Sequence, residues 1–126
     1  MRFLIAVLLL SLMSPLKAHQ FTPTYPELTP SYIAGLYKAE MELLNIRNDV
    51  SYYKIGVFDK DWKSVPFAII EGSKVLKIEY LDRKNIDVYI RAYDRTKAHY
   101  ICSKSKILKS VKDPTIISSR ICSKIK

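Results

Sequence analysis

The chain reads as an all-β protein, an antiparallel β-sandwich of about seven strands, and three observations predict it. Apolar and polar residues alternate with period two in segment after segment. Turn chemistry recurs roughly every ten residues between those segments. No long window sustains the i, i+3, i+4 spacing of an amphipathic helix. A small closed barrel is the competing arrangement, ranked second because the strand count exceeds its simplest form.

The elements follow in chain order. Residues 3–13 (FLIAVLLLSLM) form an apolar run behind the basic Met1-Arg2, and Ser14-Pro15-Leu16-Lys17-Ala18 follows it. This is the layout of a secretory signal peptide over residues 1–18, with cleavage expected after Ala18. The run is shorter than the ~20 residues of a membrane span, so no transmembrane segment is expected after cleavage. Residues 19–30 carry Pro23, Pro26 and Pro30. Proline fixes φ and removes an N–H, so this stretch is expected as an extended leader, laid on a surface or left loose, with His19 at a mobile terminus. The sandwich domain is then residues 31–126.

Within it, residues 31–40 are compatible with one or two helical turns, through Ala34, Leu36 and Ala39. Residues 41–46 read as a strand with a bulge at Leu43-Leu44. Tyr53, Ile55 and Val57 alternate with Lys54 and Gly56, and Leu76, Ile78 and Tyr80 with Lys77 and Glu79. Ile86, Val88, Ile90 and Ala92 alternate with Asp87, Tyr89 and Arg91, the cleanest period-two run in the chain. Tyr100 and Cys102 share one strand face, and a last strand is expected over residues 116–125.

Composition narrows the function. The 126 residues are 48% hydrophobic and carry a net charge of +9, so the chain is no disordered polycation. After cleavage the charge is +7, and +6 of it falls in residues 99–126, where Lys104, Lys106, Lys109, Lys112, Arg120, Lys124 and Lys126 face Asp113 alone. The signal peptide implies export to the periplasm or outside the cell, an oxidising compartment in which the even pair Cys102 and Cys122 is expected as a structural disulfide. Two cysteines do not fill a zinc site, and no CxxC occurs.

Residues able to carry catalysis are few. The two histidines are His19 and His99, and three glycines leave no phosphate-binding loop. Asp59 and Asp61 read as turn residues, and Glu40 and Glu42 as an exposed strand face. No enzyme, cofactor or metal is expected. Lys104, Lys106, Lys109 and Lys112 form a basic patch suited to an anionic polymer or a membrane surface. The tyrosines lie earlier in the chain, so the aromatic interleaving of a single-strand nucleic-acid binder is absent there, and no nucleic acid is expected.

Met41-Glu42-Leu43-Leu44-Asn45-Ile46-Arg47-Asn48, then residues 53–59 (YKIGVFD) and Trp62, resemble the early strands of periplasmic pilus-assembly chaperones of the chaperone–usher type. Residues 86–92 (IDVYIRA), Tyr100-Ile101-Cys102-Ser103 and Arg120-Ile121-Cys122-Ser123-Lys124 are similar to later strands of that family. The resemblance implies an immunoglobulin-like β-sandwich that holds a protein partner, such as a pilus subunit, by strand donation. Ile116, Ile117, Ile121 and Ile125 are then the donor residues, and Arg120 or Lys124 the basic anchor. The family carries two such domains around a cleft; one is expected here, a single-domain relative.

Overall fold

The computed structural model describes residues 18–107 and 118–126. Among these residues nine strands form: β1 (Gln20–Thr22), β2 (Thr29–Pro30), β3 (Leu36–Leu44), β4 (Tyr52–Phe58), β5 (Ala68–Ile69), β6 (Val75–Lys77), β7 (Arg83–Arg91), β8 (Tyr100–Ser105) and β9 (Arg120–Lys124). One sheet has the order β1-β3-β7-β5, with β2 also on β3; the other has the order β6-β4-β8-β9. Every pairing is antiparallel, and among the described residues no strand pair joins the two sheets, so the architecture is a sandwich and not a closed barrel. β1, β2 and β5, which are not among the expected strands, are two- or three-residue pieces at sheet margins.

Period two determines which side chains meet inside. β3 turns Ala39, Met41 and Leu43 inward and β7 turns Ile86, Val88 and Ile90 inward; Tyr53, Ile55 and Val57 of β4 and Ile101 of β8 close on them from the second sheet. Ile86, Val88 and Ile90 are fully buried, which stabilises the fold by about 1.5–3 kcal/mol for each side chain.

Three local expectations change. The register of β3 on β7 runs without interruption from Leu36↔Arg91 to Leu44↔Arg83, so no bulge forms at Leu43-Leu44. Residues 31–35 form a turn rather than helix: Gly35 takes φ +83, and Ser31 N–H reaches the Leu36 carbonyl. Ala39 then sits fully buried between strand neighbours. The leader is laid on the sandwich, since Phe21 is buried and β1 pairs with β3 through Phe21↔Leu43. Its prolines are tolerated because these pieces lie at the sheet edge. The proposed signal segment, and the start of the expected last strand with Ile116 and Ile117, lie outside the described residues.

Candidate functional site: a cationic and aromatic sheet face

The outward positions of β4, β8 and β9 line up as three cross-strand rows. Lys54 pairs with Lys104, and Lys104 with Arg120; Gly56 pairs with Cys102, and Cys102 with Cys122; Phe58 pairs with Tyr100, and Tyr100 with Lys124. The middle row carries the disulfide between directly opposed cysteines. It also carries the glycine for a reason of space. The Phe58 ring folds back over position 56, where a Cβ would stand 2.8 Å from it.

The rings around Arg120 come from distant segments. Asp59 Oδ1 accepts the N–H groups of Asp61 and Lys63, and Trp62 N–H reaches the Asp59 carbonyl, which curls residues 59–63 into a tight turn. Asp59 is thus a turn residue, as its neighbourhood predicts. Trp62, at φ 63, is swung onto Tyr100, stacked at 4.1 Å with the ring planes 3° apart. The Arg120 guanidinium lies 4.9 Å from both the Phe58 and the Trp62 ring centres, and its Nη2 is 3.7 Å from Cys102 Sγ. Such stacking fixes the plane of the guanidinium and leaves in-plane donors to act outward.

The predicted residues divide. Lys104 and Arg120 meet in one row, and Lys124 lies on the same face opposite Tyr100. Lys106 follows β8 and donates its backbone N–H to the Tyr52 carbonyl. Ile121 and Ile125 turn inward against the core. Lys109 and Lys112 lie outside the described residues, with Ile116 and Ile117. Lys54, Phe58, Trp62 and Tyr100 are additions. Their strand parity is legible in the sequence, but not that β4 would lie beside β8. Aromatic rings therefore do stand among the cations, brought there by pairing rather than by chain proximity.

A second cluster is buried. His19 is not mobile: it is 2% exposed, with Nε2 2.7 Å from Ser103 Oγ and Nδ1 3.1 Å from Ser119 Oγ. Burial lowers its pKa to about 4, with the Arg47 charge acting in the same direction, so the imidazole is neutral at pH 7. Arg47 makes a two-pronged pair with Asp49, at 3.0 and 2.7 Å, which holds the Asp49 carboxyl below its ordinary range. Asn45 Nδ2 donates to the Val50 and Ile78 carbonyls, while its Oδ1 accepts from Arg47 N–H and Tyr53 O–H. Burial pushes the Tyr53 hydroxyl up to about 12. With Ser103 fully enclosed, this cluster locks the leader to β8 and the start of β9 rather than facing a substrate. Glu40 and Glu42, by contrast, are engaged on the surface by Lys38 and Arg83. Among the described residues no group of His, Cys, Asp and Glu is placed to hold a metal.

The last feature is the rim. β9 is the end strand of its sheet. Its outward N–H groups at Lys124 and Lys126 are taken by the Thr24 and Pro26 carbonyls of the leader, both at 3.0 Å. By strand alternation, Arg120 and Cys122 point their backbone groups to the same side. Comparison with known proteins finds no matching family model and no matching curated protein.

Proposed function

We propose that this chain is an exported binding module that engages a protein partner along the edge of β9, on the plan of an immunoglobulin-like pilus-assembly chaperone domain. One observation carries the reading. β9 ends its sheet; the leader lies along that edge from His19 beside Ser119 to the Lys124 and Lys126 N–H groups, and among the described residues no strand pairs with the outward backbone groups of Arg120 and Cys122. An edge of this kind accepts an added strand through main-chain hydrogen bonds. Arg120 and Lys124 beside it supply positive charge to orient the partner. The disulfide fits an oxidising compartment such as the periplasm.

The test is a pair of variants at one position. Arg120→Pro removes an outward N–H while leaving the inward ladder to β8 intact; Arg120→Ala removes only the side chain. The protein that co-purifies with the wild-type chain from its native periplasm is expected to bind Arg120→Pro at least tenfold more weakly than Arg120→Ala. Equal binding by the two variants, or no co-purifying protein, would refute strand addition.

The cation row favours a second reading, a module that holds an anionic polymer. Polymer binding falls steeply as salt is raised, because bound counterions are released, whereas strand addition responds weakly.

A further inference from the structure

Lys54, Lys104 and Arg120 stand directly opposite one another on three adjacent strands. Neighbouring strands are about 4.8 Å apart, so three positive charges are held in a line on one sheet face. Like charges placed directly opposite destabilise a sheet. The usual remedy is an interleaved carboxylate, and none of the ion pairs among the described residues involves these three. Instead the row opens on a cavity of about 230 Å³, lined by the three cations, Phe58 and Cys102, with no carboxylate in its wall. Arg120 is also preorganised, its plane set by Phe58 and Trp62. Little further side-chain entropy is lost when it closes on a ligand.

We propose that this cavity is a binding site for a tetrahedral oxyanion, the phosphate or sulfate ester of an extracellular polymer. This rests on the second reading, that the sheet face holds an anionic polymer, and it deepens that reading to a site and a ligand group. The arrangement favours a tetrahedral group over a carboxylate by geometry. The three cations come from three adjacent strands, and a tetrahedral ester offers an oxygen to each of them where a carboxylate has only two. Arg120, at the β9 end of the row, supplies a planar fork of N–H donors, and Lys104 and then Lys54 supply point charges from the neighbouring strands.

Trp62 is the one tryptophan of the chain and touches Arg120, so its fluorescence reports on the site. The oxidised, exported protein is titrated with glycerol phosphate, with a sulfated heparin disaccharide, and with glucose as the neutral control, at constant ionic strength. The expected result is a saturable change in Trp62 emission with one or both esters and none with glucose; the tighter ester names the source. Arg120→Gln and the double variant Lys54→Gln/Lys104→Gln are each expected to weaken binding at least tenfold. The double variant is also expected to melt about 2 °C higher, because the repulsion in the row is relieved. That gain separates loss of the site from loss of the fold. No saturable response to either ester, or an unchanged response in both variants, overturns the site. Retention on a heparin column by the wild type, with no Trp62 response to the small esters, overturns the site while leaving polymer binding by other lysines standing.

Discussion

His19 Nε2 lies 2.7 Å from Ser103 Oγ across 84 residues of chain, and this contact fastens the leader to the second sheet. It also ties stability to pH. The pKa of His19 is about 4 in the folded protein and 6.5 as its ordinary value. Between these values the unfolded chain takes up a proton that the folded chain does not. The contribution of neutral His19 is therefore complete above pH 6.5 and is lost progressively as pH falls toward 4. The groups facing the imidazole are Ser103, Ser119, Tyr53 and the Arg47–Asp49 pair. Urea unfolding at pH 7.5 and 4.5 is expected to show a loss on the order of 2–3 kcal/mol. In His19→Gln most of that pH-dependent loss disappears. An unchanged pH slope in the variant would assign the effect elsewhere. Asp49 adds a separate acid-side loss below its ordinary pKa of 3.8, because its lowered value makes the native carboxylate favourable.

Gly56 and Phe58 make a prediction of opposite character, in which function changes more than stability. Alanine at position 56 is better than glycine for a strand backbone by roughly 0.5–1 kcal/mol. Its Cβ, however, would stand 2.8 Å from the Phe58 ring, which lies on an open sheet face and is able to swing away. We expect Gly56→Ala to melt within about 3 °C of wild type, the two effects offsetting each other. The displaced ring no longer backs Arg120, so Trp62 emission shifts and ester binding weakens. A variant with wild-type emission and affinity would show that Phe58 does not position Arg120.

Asn45 is a core polar residue with four hydrogen bonds, two donated and two accepted. Asn45→Ala strands the Tyr53 hydroxyl and the Val50 and Ile78 carbonyls away from water. It is expected to destabilise the protein by about 3 kcal/mol. Tyr53→Phe leaves Asn45 Oδ1 still accepting from Arg47 N–H and is expected to cost only about 1 kcal/mol. Chemical denaturation of the two variants checks the order. A larger loss for Tyr53→Phe would place the weight of the network on the phenol instead.

Much of the sandwich is legible along the chain. Alternation at Ile86, Val88 and Ile90, and at Tyr53, Ile55 and Val57, predicts strands that turn the same residues inward in the structure. The two cysteines, with no other to choose, pair as expected. The leader is harder to read. Three prolines argue against a central strand, yet Phe21 enters the core through its pairing with Leu43 and His19 is buried against Ser103 and Tyr53, contacts made across the chain rather than along it.

The sequence alone therefore determines the β class, most strand positions, the inward and outward side of each strand, and the disulfide. Those follow from local period two and from residue count. What the tertiary structure decides is adjacency. Lys54 meets Lys104 and Arg120, and Phe58 and Trp62 enclose Arg120, only because β4 pairs with β8 and β8 with β9. Strand pairing is set by how the whole core packs. Residues 54 and 120 thus become neighbours through contacts that no local pattern records.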